Sequence, residues 1–335
     1  MRSTVTFFLL LFLLILTVLL ATTQGQVSIP LHSFFDLLFH PDPANQHTLI
    51  VWDLRLPRLA SALAAGAALA MAGVLTQGVL RNPLAEPYTL GISAGAALGA
   101  SLALLGAMGL GGLTLITALG PAAAAFVGAL LALGGALLLS WRSRGPSTLD
   151  LILAGIVIAT VCAALTGLIK FLAGERVEGI VFWLMGHFQG ATWTTAAVAS
   201  LGAILALIAG LWYGRHLDFL ALGDRVAGTS GVNVLRLRII VLVAAAFAAA
   251  LAVAAGGIIA FVGLVIPHLM RLILGPAHRT LIIHSALAGA AVLAGADTLA
   301  RMLPREVPVG ILTALIGGPV FAVLLRTTRR GGDNA

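Results

Sequence analysis

Few residues of this chain have the types and spacing that catalysis requires. The eight histidines form no HExxH pair, no serine lies in a GxSxG turn, and the single cysteine, Cys162, can make neither an internal disulfide nor a cysteine metal cluster. The only lysine, Lys170, is followed by Phe171, so the chain contains no GxxxxGK(S/T) loop to hold a nucleotide phosphate. We therefore expect no catalytic residues, no metal site and no ATP binding in this polypeptide.

The composition places the chain in a membrane. Hydrophobic residues make up 60% of it and charged residues 9%, and the mean hydropathy is +1.08, values that a soluble surface does not have. The net charge of +7 could indicate nucleic acid binding, but the basic residues stand singly or in small groups between apolar runs. We therefore expect a lipid bilayer as the environment and no nucleic acid partner.

Ten apolar segments are interpreted as membrane spans, each of which needs about 20 apolar residues in a helix. Two boundaries are inferred, because the uncharged run 88–141 is divided at the glycine cluster 106–112 and the run 239–267 is divided at Gly256 and Gly257. The first segment has the alternative of a signal peptide, but it lacks a clear A-x-A site. The segments are 7–21, 56–80, 90–105, 113–139, 149–172, 193–213, 239–255, 258–274, 281–300 and 309–325.

The distribution of basic residues predicts the orientation. An even number of spans places both termini on one side, and if that side is the cytoplasm, 13 of the 19 basic residues lie inside and 6 outside. This asymmetry agrees with the positive-inside rule, so cytoplasmic termini are predicted. Charged residues lie near the span ends and not in their middle, which argues against a transporter driven by an ion gradient.

Three connections are long, and long loops commonly carry docking surfaces. They are predicted at 22–54 and 171–192 on the outer side and at 214–238 on the inner side. The inner one alternates apolar and charged residues, as a short amphipathic helix outside the membrane would, with Asp218 or Asp224 as its cap. The alternative is a solvated connector.

A series of motifs connects the chain to a known family. They are RLPR (55–58), Gln77, RNPLAEP (81–87), LGISAGA (90–96), LAGI (153–156), WLMG (183–186), FVGLVIPHLMR (261–271), AD with an arginine four residues on (296–301), and PVGILTALIGGPVF (308–321). With these motifs the chain closely resembles the permease subunits of ABC importers for iron–siderophore, cobalamin and haem, the FecCD-type family. The resemblance implies an all-α polytopic membrane protein of the type II ABC importer fold. It further implies a single permease domain over 1–335, about ten transmembrane helices and an inverted repeat, which is faintly visible as 93–100 against 285–291.

The resemblance also implies partners and cargo. A bacterial importer of this family has two permease copies in the inner or plasma membrane, two ATPase subunits that bind ATP and Mg²⁺, and a periplasmic or lipid-anchored substrate-binding protein. The permease itself holds no cofactor, and pairing with a paralogue instead of a second copy stays open. The expected cargo is an iron(III)–siderophore chelate, with cobalamin or haem as alternatives, and a passive channel is a remote alternative. His187, in WLMGHF, departs from the WxxGS form of many siderophore permeases.

Residues of the inner loop are expected to dock on the ATPase. Outside, family arginines pair with glutamates of the binding protein, and the alternative role of these arginines is to extend to the membrane interface. The predicted coupling residues are Leu217, Asp218, Leu222, Gly223, Asp224, Arg225, Val226, Gly231 and Val232, and the predicted docking arginines are Arg55, Arg58 and Arg301.

Two further sets of residues are assigned to the transport path. Ser147 and Thr148 match the family's cytoplasmic gate, and helix capping is a second role open to them. Gly91, Gly95 and Gly99 repeat every fourth residue, which suits either close helix packing or room beside a path.

Overall fold

Nearly all of the chain is helical. The computed structural model describes residues 2–25, 27, 29–41, 44–109, 114–141 and 147–332, and within these ranges there is no β-strand. Two short 3₁₀ turns, Pro87–Leu90 and Gly174–Val177, and one π-helical segment, Ile50–Arg55, connect the helices. The α-helices are α1 (Arg2–Thr23), α2 (Leu31–Phe39), α3 (Gln46–Leu49), α4 (Leu56–Leu80), α5 (Ile92–Ala107), α6 (Thr114–Leu139), α7 (Thr148–Ala173), α8 (Glu178–Leu184), α9 (Trp193–Ala221), α10 (Asp224–Thr229), α11 (Val234–Gly256), α12 (Val262–Leu274), α13 (His278–Met302) and α14 (Val309–Gly332).

Each of the ten predicted apolar segments coincides with one of these helices. In the described part of the chain, seven helical stretches are long and apolar enough to cross a membrane, and α5, α12 and α14 are shorter apolar helices. The chain is therefore an all-helical, multi-pass membrane protein, and the count of ten spans stays a prediction. The turn predicted at Gly256 is confirmed, because α11 ends there and Gly257 has a φ of 70°. The break predicted at 106–112 lies partly outside the described residues.

The inner connection is shorter than the predicted loop 214–238. Helix α9 starts with a capping box, in which the side chains of Thr192 and Thr195 each accept a hydrogen bond from the other's backbone N–H, and it continues through Ala221. Helix α11 begins at Val234, capped by the side chain of Asn233. Only the short helix α10 and its flanking residues lie between them.

Helix α4 is the centre of the molecule and is buried along most of its length. It packs against α9, α11, α12 and α13, and glycine makes these close approaches possible. A Cβ atom on Gly66 would overlap the carbonyl group of Gly289 in α13, and one on Gly73 would overlap that of Gly263 in α12. Small residues are what helix packing in a membrane requires, because lipid supplies no hydrophobic driving force between helices.

Helices α5 and α12 share an unusual feature, which is that each begins after an irregular segment packed inside the protein. The turn Pro87–Leu90 precedes α5, and the segment after Gly257 precedes α12, whose N-cap Phe261 has a φ of 68°. The two starts meet, since the Cδ of Pro87 lies 3.5 Å from the Cβ position of Gly263. The sequence match of 93–100 with 285–291 pairs α5 with α13, and the inverted repeat stays a prediction.

Candidate functional sites at the two ends of the helices

At the end of the helices that the sequence predicts to be cytoplasmic, called the inner end below, helix α10 is held by charges from two other segments. Asp224, its first residue, lies 3.1 Å from the Nη2 of Arg81 in the α4–α5 connection, and it accepts two hydrogen bonds of 2.9 Å from the Nη2 of Arg238 in α11. Asp224 is not the N-cap, because Gly223 occupies that position with a φ of 118°. This aspartate therefore joins α10 to the α4–α5 connection and to α11.

Asp218 also differs from its predicted role as a cap for the inner amphipathic helix. Its carboxylate accepts a 3.0 Å hydrogen bond from the backbone N–H of His278 and lies 2.6 Å from the Nδ1 of that histidine. Since His278 is the first residue of α13, Asp218 supplies an acceptor for the start of that helix. It joins the inner end of α9 to α13.

The nine predicted coupling residues differ in exposure, and two of them, Asp218 and Gly223, are half-buried. Leu217 and Val232 are buried with Ala227, and they fix the segment to the core. By contrast, the side chains of Leu222 and Val226 are 70% and 41% exposed. The exposed group, which we call the α10 surface, is Leu222, Asp224, Arg225, Val226 and Gly231.

At the opposite end, which is predicted to lie outside and is called the outer end below, Arg58 is the centre of an ion-pair cluster. Its Nε donates to Oδ2 of Asp297 at 2.8 Å and its Nη2 donates to Oδ1 at 2.7 Å, which is a two-point contact between α4 and α13. The same Nη2 lies 2.6 Å from Oε1 of Glu306. The Nε of Arg301 lies 3.5 Å from Asp297, and its Nη2 donates to the carbonyl of Ala21 in α1.

Arg55 completes this outer group in a different way. It is buried, and its guanidinium donates hydrogen bonds to the carbonyl oxygens of Thr22 and Val27. A cavity of about 410 Å³ opens beside all three arginines, and the side chains of Arg58 and Arg301 are each only 11% exposed. The three predicted docking arginines are therefore brought together, and each is bound within the chain. Their contact with a binding protein and their extension to the membrane interface both stay predictions.

The predicted gate residues lie at the start of α7. The Oγ of Ser147 accepts a hydrogen bond from the N–H of Asp150 at 3.2 Å and donates to its carboxylate at 2.7 Å, so Ser147 is the N-cap of the helix. Thr148 is the first helical residue and is half-buried. The capping role is confirmed for Ser147, and the gating role of both residues stays a prediction. The preceding residues 142–146 lie outside the described ranges.

The glycine stripe on α5 serves close packing. A Cβ on Gly95 would overlap the carbonyl of Gly128, and one on Gly99 would overlap the carbonyl of Ala124, both in α6. Gly91 has a φ of 82° and faces α7, where the carbonyl of Gly155 lies 3.2 Å from its Cβ position. Of the two predicted explanations, packing is the one that these contacts support.

Two buried titratable groups outside the helices were not assigned a role from the sequence. Burial raises the pKa of Glu86, between α4 and α5, to about 7. Burial also lowers the pKa of His187, which follows α8, donates its backbone N–H to the carbonyl of Gly256 at 2.8 Å and lies against Phe182 with ring centres 4.6 Å apart. Glu86 was detectable as the one acidic residue within RNPLAEP.

Comparison with known proteins agrees with this architecture. The chain is 38% identical to the Fe(3+) dicitrate transport system permease protein FecD of Escherichia coli (strain K12) over 92% of this chain and 93% of that protein. It is also 38% identical to the Hemin transport system permease protein HmuU of Yersinia pestis, over 95% of each chain. A solved structure of an ABC transporter assigned to the metal-chelate type, in an inward-facing conformation, matches with a TM-score of 0.81 and 31% identity, over 96% of this chain and 98% of that one. The model of the FecCD transport family matches residues 13–327, and the chain belongs to that family.

Proposed function

We propose that this chain is the permease subunit of an ATP-driven ABC importer that moves an iron(III)–siderophore type of metal chelate from a binding protein into the cytoplasm. The observation that carries this proposal is the family match over residues 13–327, together with relatives that are permeases of transport systems. Haem is the second candidate cargo, because HmuU is as similar to this chain as FecD is.

The proposed assembly contains two copies of this chain, two ATPase subunits and one binding protein. ATP and Mg²⁺ bind to the ATPase subunits, since this sequence has no phosphate-binding loop. Both termini lie in the cytoplasm of a bacterial cell, which the excess of basic residues on that side supports. On this orientation α10 and the start of α7 face the cytoplasm, and the cavity beside Arg58 faces outward.

The α10 surface is the proposed contact with the ATPase. Its exposed Leu222 and Val226 supply apolar area, and Arg225 beside them supplies charge, the combination found at protein interfaces. Asp224 connects this contact to the α4–α5 connection and to α11 through Arg81 and Arg238. Force applied to α10 would thus reach two membrane helices by ion pairs as well as by the backbone.

The outer arginine cluster is the proposed contact with the binding protein, and Ser147 and Thr148 are the proposed inner gate between the two copies. Planar guanidinium groups suit carboxylates on a partner, and such pairs mainly steer and orient the encounter. The rim of the cavity beside Arg55, Arg58 and Arg301 is where a partner carboxylate would enter.

The decisive experiment is reconstitution. The chain is purified with the ATPase and the binding protein of its importer, placed in liposomes, and supplied with labelled ferric dicitrate, a ferric hydroxamate or haemin. We expect uptake of an iron chelate that requires ATP and the binding protein, and no ATP hydrolysis by the permease alone. Uptake that continues without ATP would instead identify a passive channel, and ATP-dependent uptake of haemin alone would favour the second cargo.

A further inference from the structure

At the outer end, one guanidinium nitrogen contacts two carboxylates. The Nη2 of Arg58 lies 2.7 Å from Asp297 and 2.6 Å from Glu306. Because the Nε of Arg58 also binds Asp297, the pair with Asp297 has two contacts and the pair with Glu306 has one. Glu306 is therefore the less firmly held of the two partners.

The two carboxylates also differ in their surroundings. Asp297 lies within α13 and its side chain is 3% exposed, so it forms part of the core. Glu306 is 25% exposed and belongs to the non-helical connection 303–308 between α13 and α14. A carboxylate in a connection can leave Arg58 without disturbing a helix, whereas Asp297 cannot.

There is space next to Glu306 for a second carboxylate to arrive. The cavity of about 410 Å³ is lined by Arg55, Arg58, Arg301 and Glu306 together, and it is partly open to the surface. Three arginines against Asp297 and Glu306 leave the cluster with one excess positive charge. Removal of Glu306 from the cluster would raise this excess to two, which an acidic side chain of a partner would neutralise.

We propose that Glu306 is an internal competitor, which occupies on Arg58 the position that an acidic side chain of the substrate-binding protein takes when it docks. This inference rests on the proposed function, in which the outer arginines contact that protein. Docking then exchanges one carboxylate for another on Arg58 and releases the connection 303–308.

Release of the connection 303–308 would affect α14, which follows it directly, and the segment after α8, which contacts the first turn of α14. The connection leads directly into α14, and the N–H of Gly310 in the first turn of α14 donates to the carbonyl of Gly186 at 3.2 Å. Gly186 follows α8, and a Cβ on Gly310 would overlap the carbonyl of Met185. Movement of the connection is thereby passed to the segment after α8, whose residues 188–191 line the cavity.

The test compares Glu306→Gln with Glu178→Gln, an exposed outer glutamate that does not line the cavity. The complex with its ATPase is placed in nanodiscs, and binding of the importer's substrate-binding protein is measured at several salt concentrations. We expect Glu306→Gln to lower the Kd about two- to fivefold, the range of a partly exposed ion pair. The Kd of the control variant Glu178→Gln should equal that of wild type. Glu306→Asp, which keeps the charge on a shorter side chain, should lie between wild type and Glu306→Gln.

Hydrogen exchange without the binding protein provides a second measurement. In Glu306→Gln the amides of 303–310 should exchange faster than in wild type, while those of α13 stay protected. An unchanged or raised Kd in Glu306→Gln, or unchanged exchange in 303–310, would overturn the inference. These outcomes are distinct from failure of the proposed function, in which the wild-type complex would bind no substrate-binding protein and transport no chelate.

Discussion

The two ion-pair clusters of this protein use similar residues in opposite environments. At the outer end, Arg58 and Asp297 are 11% and 3% exposed and join α4 to α13. At the inner end, Arg81 and Asp224 are 38% and 46% exposed and join α10 to the α4–α5 connection. A buried pair leaves an uncompensated charge when one partner is removed, whereas an exposed pair is replaced by water. The Arg58–Asp297 pair is therefore a structural joint, and the Arg81–Asp224 pair is a contact that can open and reform.

The largest expected effect tests the inner side of this comparison. Replacing both Leu222 and Val226 by Asp should lower ATP-driven uptake more than about tenfold, because central apolar contacts of an interface each contribute about 1 kcal/mol or more. The matched control, Leu222→Met with Val226→Ile, keeps apolar side chains and should retain uptake. Membrane insertion is checked by the yield of folded protein. Uptake near the wild-type rate in the aspartate variant would remove α10 as the ATPase contact.

The second prediction compares the stability of the two clusters directly. Asp297→Asn should lower the free energy of unfolding by about 3–5 kcal/mol, because it leaves Arg58 and Arg301 buried with too little negative charge. Asp224→Asn should lower it by a smaller amount, about 1 kcal/mol, since Asp224 and Arg81 are 46% and 38% exposed, although Arg238, at 11%, is largely buried. Thermal unfolding of the two variants in the same detergent measures the difference. Equal losses would contradict the division into a joint and an adaptable contact.

The third prediction asks whether the inner end moves. In a Cys162→Ser background, Thr148→Cys should form a disulfide between two copies in at least one nucleotide state, because a disulfide requires Cα atoms within about 7 Å. Thr148 is a better position than Ser147, since loss of the Ser147 cap would itself cost about 1 kcal/mol. The cross-link should stop uptake and reduction should restore it. If Thr148→Cys never cross-links in any nucleotide state, neither the gate nor a path between two copies is supported.

The smallest expected effect concerns Glu86, which lies in the same inner connection as Arg81. Burial raises its pKa to about 7 from an ordinary value of 4.5, so the folded state binds the proton more tightly than the unfolded state does. Stability from this group is present below pH 4.5 and is lost as the pH rises to about 7. The melting temperature of Glu86→Gln should therefore rise relative to wild type between pH 5 and pH 7.5, measured against Glu178→Gln as control. A constant difference across that range would assign Glu86 an ordinary pKa.

Apolar runs were sufficient to locate the membrane helices, but they did not locate helix ends on the inner side. Helix α9 extends past the predicted boundary at residue 213 to Ala221, because Leu217 and Leu220 are buried against the core even though polar residues surround them in the sequence. Local pattern predicted Asp218 or Asp224 as the cap of the inner helix. Instead they bind His278 and the pair Arg81 and Arg238, which are distant in sequence and close only in the fold.

The contacts of the outer cluster were also only partly predictable from local sequence. Asp297 lies four residues before Arg301, one helical turn away, and this spacing was visible in the sequence. The pairing of Arg58 with Glu306 was not, since these residues are 248 positions apart and a proline-flanked connection carries the glutamate. The family resemblance correctly grouped three arginines at one end, and only the fold revealed that each already has partners within the chain.

The sequence by itself determined that this protein is a helical membrane permease of the FecCD family without a nucleotide-binding loop. A bilayer requires about 20 apolar residues per helix and internal satisfaction of the backbone, and both requirements can be evaluated from local sequence. Tertiary structure alone decided which charges are buried and paired, which apolar side chains of the inner segment are exposed, and that the glycines of α5 pack against α6 and α7. These properties depend on neighbours brought together from distant parts of the chain, and the energy of a charge changes with that burial far more than with its position in the sequence.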